Sequence, residues 1–172
     1  MIVIYIHQID SPLGLLTVGA TNKGICLLEF NNEQRIAKHL DQFNKREEVV
    51  LINATSDLIT QAEEQLKKYF NGELKTFDLQ LDMVGTDFQL RVWKELLKVP
   101  YGVTRSYKEQ AIAVGDLKAI RAVATANGEN KISIIIPCHR IIGSDGSLTG
   151  YGGGIWRKQK LLELETNQTT LF

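Results

Sequence analysis

The period at which apolar residues recur changes along this chain, and that change limits the folds open to it. Residues 2–6, 15–20 and 25–30 are short β-branched or alternating runs, separated by Ser11-Pro12, Asn22-Lys23-Gly24 and Asn31-Asn32. This spacing reads as a strand meander. From Asp57 to Phe70 the apolar side chains fall instead at Leu58, Ala62, Leu66, Tyr69 and Phe70, a helical period that Asn71-Gly72 stops. A boundary is expected within residues 79–85. The first half, residues 1–82, therefore reads as a scaffold domain of a small antiparallel sheet plus a helix, in an α/β chain of the α+β kind.

The second half, residues 86–166, opens on a helix signal. Thr86-Asp87-Phe88-Gln89 has the form of a capping box, and Phe88, Val92, Trp93, Leu96 and Leu97 follow on one face until Pro100. Ser106-Tyr107-Lys108-Glu109 repeats the device, predicting a helix to about Val114 that stops at Gly115. Asp116 can cap a third helix through about Ala126, ended by Asn127-Gly128. The last two form a helix-turn-helix pattern. At about 100° per residue, Ile120, Val123 and Ala124 share the core side of that third helix. Lys118, Ala122 and Thr125 lie on the opposite arc, with Arg121 at its edge. A small, basic face lets a helix backbone approach phosphates closely; an Ala-rich helix with solvated charges is the plainer alternative.

Composition narrows the setting. The apolar share of 44% and charged share of 23% are those of an ordinary globular protein, and no apolar run nears the roughly 20 residues of a membrane span. The opening residues, MIVIYIHQID, lack a basic leader and a small-residue cleavage site, so a cytoplasmic location away from membranes is expected. Cys26 and Cys138 are the only cysteines, and reduced thiols are expected of both. His7, His39 and His139 are scattered, so neither a metal nor a cofactor is expected. Net charge is zero, but residues 1–86 hold 8 Lys and Arg against 12 Asp and Glu, and residues 87–172 hold 12 against 8. The second half is the better candidate for an anionic partner.

Residues 134–142, IIIPCHRII, carry the chemistry. Residues 132–136 read as a buried strand that Pro137 ends, which puts Cys138 where the chain leaves the sheet. A free cysteine is often only a small buried hydrophobe. His139 and Arg140 directly follow, however, and neither belongs in an apolar strand without partners. A nearby imidazole or positive field favours the thiolate, so Cys138 is a candidate nucleophile. A cysteine hydrolase fits less well, because adjacent residues of an extended chain point to opposite sides and no oxyanion hole is evident.

The motif PCHR at Pro137–Arg140, preceded by Asn130 and followed by TGYGGG from Thr149, resembles the O6-alkylguanine-DNA alkyltransferases, the methylated-DNA-protein-cysteine methyltransferases. GTDFQLRVW from Gly85, SY at Ser106-Tyr107 and RAV at Arg121–Val123 occur in that family's order and spacing. The resemblance implies a winged-helix-like carboxy-terminal domain that carries the active-site cysteine. It also implies a double-stranded DNA substrate with O6-alkylguanine, and O4-alkylthymine as a second candidate lesion. The lesion is rotated out of the duplex, with Arg121 filling its place and Tyr107 crowding it and supplying a proton. Cys138 takes the alkyl group irreversibly, so each molecule acts once. His139 accepts the thiol proton through water, and Glu165 orients it. Asn130, Pro137, Arg140, Ile141, Tyr151, Gly152 and Lys158 are implied as pocket and supporting residues.

Two positions depart from the family pattern. Lys131 stands where proline is usual, implying a looser turn, and Gly152 stands where some members have serine, leaving only backbone toward the alkylated oxygen. A non-catalytic sensor of alkylated DNA is the alternative reading; relatives of that kind replace the cysteine, and Cys138 is retained. Residues 167–172 read as a flexible tail, in which Gln168–Phe172, QTTLF, resembles the peptide by which bacterial repair proteins dock on the sliding clamp. A monomer is expected.

Overall fold

The computed structural model describes residues 1–166, so the QTTLF motif lies outside the described residues. The chain divides into two compact units: Met1–Val84 with Lys131–Ser133, and Gly85–Asn130 with residues 134 onward. No helix among the described residues is long and apolar enough to cross a membrane.

In the first unit, strands β1 (Ile2–Ile9), β2 (Leu16–Ala20) and β3 (Ile25–Phe30) form the expected meander. Two elements were not legible in the residue pattern. Helix α1 (Glu33–Asn44) begins at Asn32, whose side chain accepts from the Arg35 amide, so a residue read as a turn former is an N-cap. Strand β4 (Val49–Asn53) pairs in parallel with β1, which makes the sheet mixed, in the order β3-β2-β1-β4, rather than antiparallel. The α1 connection explains this, since a parallel neighbour needs a crossover. Helix α2 (Asp57–Phe70) is capped by Ser56 and buries Ile59, Ala62, Leu66 and Tyr69.

Ile4, Cys26, Leu27 and Phe43 form a buried cluster, with Ile36 and Leu40 of α1 packed on it. Burial pushes the Cys26 thiol up to about 12, aided by the Asp82 charge, which makes it a core hydrophobe. Below α1 lies a buried polar group: the Glu29 carboxylate receives Arg35 Nε and meets His39 Nε2, both at 3.2 Å.

The second unit contains α3 (Asp87–Leu96), β5 (Arg105–Ser106), α4 (Tyr107–Val114), α5 (Ile120–Gly128), β6 (Ile141–Ile142) and α6 (Ile155–Glu165). Both expected capping boxes form, Thr86 with Gln89 and Ser106 with Glu109. Gly115, at φ +107°, ends α4. Asp116 caps a 3₁₀ turn, Leu117–Ala119, rather than α5 itself. The buried side of α5 is Val123, Ala126 and Asn127; Ile120 and Ala124 are exposed, against the projection from sequence. The buried arc is centred on Val123, Ala126 and Asn127, and at about 100° per residue Ile120 and Ala124 fall to one side of it. Trp93 donates its indole N–H to the Ala126 carbonyl at 2.9 Å, and Gln110 and Asn127 exchange two 2.7 Å bonds, which fixes α4 on α5.

The expected strand over residues 132–136 does not form. Ile132 makes one isolated parallel bridge to Leu28, and Ile134 turns to φ +72°. That left-handed conformation is unusual for a β-branched residue and holds roughly 1–3 kcal/mol of strain. Burial of residues 132–136, which the composition did indicate, supplies the compensation.

At the turn after β2, a Cβ added to Gly24 would lie 2.7 Å from the Gln80 backbone, which cannot swing aside as a side chain can. Gly24→Ala is expected to lower the free energy of unfolding by about 1–3 kcal/mol, read as a lower urea midpoint at constant slope.

Candidate active site

The short turn Cys138–Arg140 is 3₁₀ rather than extended, with Pro137 at its head and the Arg140 amide donating to the Pro137 carbonyl at 3.0 Å. It feeds β6, where Ile141, fully buried, pairs in parallel with Arg105 of β5. This pairing holds the turn beside the start of α4, and so beside Tyr107.

Cys138 is partly exposed, whereas its two followers are buried. Asn130 donates from Nδ2 to the Ile136 carbonyl at 2.8 Å and toward Cys138 Sγ at 3.4 Å. The asparagine thus sets both the backbone ahead of the thiol and one contact of the sulfur. Its neighbour Lys131 is 2% exposed and donates from Nζ to the Val84 carbonyl at 2.8 Å.

Glu165, at the end of α6, gathers the two residues after Cys138. His139 Nε2 lies 2.8 Å from one carboxylate oxygen, and Arg140 reaches both, at 2.8 and 3.0 Å. Arg140 also donates to the Val99 carbonyl at 2.7 Å and lies over the Tyr101 ring. Burial alone would raise the Glu165 carboxyl, but the hydrogen bonds from His139 and Arg140, with the Arg140 charge, hold it well below the usual range. Burial pulls His139 below its usual value, with the Glu165 bond acting in the other direction. The imidazole is therefore neutral at pH 7, and its Nδ1 is buried without a hydrogen-bond partner among the described residues. A neutral imidazole with one nitrogen fixed on a carboxylate and the other free is a proton acceptor of defined tautomer.

The segment Thr149–Gly154 forms a strap across this region. Tyr107 donates from its hydroxyl to the Thr149 carbonyl at 2.6 Å. Lys158, fully buried, donates from Nζ to the Thr149 and Gly150 carbonyls at 3.1 and 3.3 Å and lies 3.5 Å from the Tyr107 hydroxyl. Burial pulls the Lys158 ammonium down to about 8, opposed by the charge of Cys138. Gly150, at φ +63°, makes the strap's turn, and a Cβ there would sit 3.9 Å from the Tyr107 hydroxyl. Tyr151 and Gly152 continue the strap, both partly buried.

Of the residues singled out from sequence, Cys138, His139, Arg140, Asn130 and Glu165 form one bonded cluster, and Tyr107 and Lys158 form another around the strap. Lys118, Arg121, Ala122 and Thr125 are exposed and take no part in either; Thr125 Oγ1 bonds back to the Arg121 carbonyl at 3.0 Å. Gln110, Asn127 and Val99, which hold these elements in place, were not singled out; Asn127 and Val99 lie at predicted helix ends, whereas Gln110 lies inside a predicted helix and carried no signal of its own. Among the described residues no group of three or more His, Cys, Asp or Glu could hold a metal ion.

Residues 4–83 match the family model described as 6-O-methylguanine DNA methyltransferase, ribonuclease-like domain, and residues 87–167 match its DNA binding domain. A methylated-DNA--protein-cysteine methyltransferase of Methanosarcina barkeri is 44% identical, over 95% of this chain and 98% of its own length. One of Mycobacterium bovis is 46% identical, over 98% and 99%. Among solved structures, a Mycobacterium tuberculosis OGT in complex with DNA aligns at a TM-score of 0.80 with 46% identity, covering 95% of this chain and 93% of that one.

Glu165 and His139 make stability fall on acidification. The His139 pKa is depressed in the fold, so protonation of the unfolded chain begins to cost stability as pH drops below 6.5. Glu165, depressed from 4.5, adds stability above that value that is lost further into acid. Glu165→Gln is expected to cost about 3–5 kcal/mol at pH 7 by leaving Arg140 buried without its counter-charge, with the difference narrowing below pH 4.5. Urea unfolding across pH measures both; a pH-independent difference would contradict the assignment.

Proposed function

The chain belongs to the 6-O-methylguanine DNA methyltransferase family, and we propose that its second unit draws an O6-alkylated guanine out of duplex DNA and takes the alkyl group onto Cys138. It is a DNA-repair protein and a methylated-DNA-protein-cysteine methyltransferase that acts once. The observation that carries the residue assignment is the cluster in which Asn130 reaches the sulfur of Cys138 while Glu165 fixes the adjacent His139.

In the proposed step the sulfur of Cys138 attacks the alkyl carbon in line, forming the S–C bond as the C–O6 bond breaks. The thiol proton passes through a water to Nδ1 of His139, whose Nε2 is held on Glu165. The departing guanine takes a proton from the Tyr107 phenol. Burial raises the Tyr107 pKa, so the phenol is the species present at pH 7. Because that hydroxyl points at Thr149, donation to the base requires it to rotate away from the strap carbonyl. Lys158 holds the strap and supplies positive charge behind Tyr107. Pro137 and Arg140 set the turn, while Ile141, Tyr151 and Gly152 wall the base pocket.

Arg121 would fill the space of the flipped nucleotide, and Lys118, Ala122 and Thr125 would lie along the DNA. All four are exposed, as this role requires. A thioether carbon has no good leaving group, so the thiolate is not regenerated. Every group named comes from one chain, which makes a monomer sufficient. The thiols of Cys26 and Cys138 suit a reducing cytoplasm.

Peptide mass after mixing with duplex DNA carrying O6-methylguanine tests the transfer. The peptide containing Cys138 is expected to gain one CH₂ stoichiometrically, and Cys138→Ala none. Bound DNA without a mass gain would instead favour the sensor reading. Docking of Gln168–Phe172 on a bacterial sliding clamp is tested by comparing pull-down of the full chain with one truncated after Asn167. Loss on truncation is expected, and equal retention would sink the idea.

A further inference from the structure

At the outer end of the strap, the first turn of α6 presents an indole that no step above uses. Trp156 is 50% exposed, whereas the other tryptophan, Trp93, is 1% exposed. An exposed apolar side chain means little by itself. Trp156 differs in being held. The guanidinium carbon of Arg157 lies 4.5 Å from its ring centroid, and the same guanidinium donates to the Gly153 carbonyl at 3.0 Å. Gly154 has φ +92°, and a Cβ there would lie 3.3 Å from Trp156 Cδ1, so the strap backbone runs against the indole. The strap's inner end is the one held by Tyr107 and Lys158. The indole is therefore continuous with the site that receives the lesion.

We propose that Trp156, braced by Arg157, is a DNA contact that stacks on a nucleobase next to the flipped nucleotide in the lesion-bearing strand. This rests on the DNA-repair reading above. Rotating one nucleotide out of the duplex unstacks its neighbours, and an aromatic face restores stacking to one of them without regard to sequence. The guanidinium behind the ring fixes its orientation beforehand, which lowers the ordering cost of binding, and adds positive charge near the phosphates. The excess of Lys and Arg in residues 87–172 matches the same polyanion.

Two measurements on the full chain test this. Tryptophan emission is followed while duplex DNA carrying O6-methylguanine is added to Cys138→Ala, with buried Trp93 as a constant background. Alkyl transfer is then timed against DNA concentration for the unaltered chain, Trp156→Ala and Trp156→Phe. Quenching of the exposed emission is expected. Trp156→Ala should raise the half-saturating DNA concentration about 5- to 150-fold while keeping the saturating rate, and Trp156→Phe should recover most of that loss. Unchanged emission, or equal half-saturation in Trp156→Ala, overturns the proposal. So does a lower saturating rate that phenylalanine does not restore, which would assign the indole to strap packing alone. Failure of the unaltered chain to alkylate Cys138 would remove the repair reading instead.

Discussion

A single buried carboxylate organises the second unit. Glu165 arrives at the end of α6 and takes a bond from His139 and two from Arg140, residues that follow Cys138 directly. Two charged or titratable side chains next to a thiol would be costly in an apolar interior without it. With it, His139 and each guanidinium nitrogen of Arg140 find a partner, and Cys138 is left as the partly exposed member. The chemistry and the packing thus depend on the same pair of oxygens. Asn130 works from the opposite side, because it fixes the backbone ahead of the turn and touches the sulfur.

The first unit contains a comparable group with a different outcome. Glu29, Arg35 and His39 repeat the carboxylate, guanidinium and imidazole combination, and His39 also has a buried Nδ1 without a partner among the described residues. The cysteine of that unit, Cys26, lies in the apolar cluster with a thiol pushed up to about 12. A His–Glu pair therefore does not make a nucleophile by itself. Reactivity needs a sulfur that is close to polar groups and open to an incoming carbon.

Much of the second unit was legible in the sequence because its signals are local. A capping box spans four residues, and both boxes form where Thr86-Gln89 and Ser106-Glu109 indicated. Pairing with a distant strand leaves no such mark. Strand β4 lies next to β1 because of register across the sheet, and nothing in its five residues names that partner. The isoleucines of residues 132–136 told the truth about burial and not about conformation, since β-branching favours a strand only when a ladder is available. The cysteine, histidine and arginine stood out together. Glu165, 26 residues from His139, could be linked to them only through the family resemblance.

The left-handed Ile134 has a consequence for how the site comes into being. An isolated segment of chain would not hold a β-branched residue at that angle, because only surrounding structure can impose it. The loop that carries Cys138 therefore takes its geometry from the shell around it and not from its own residues alone.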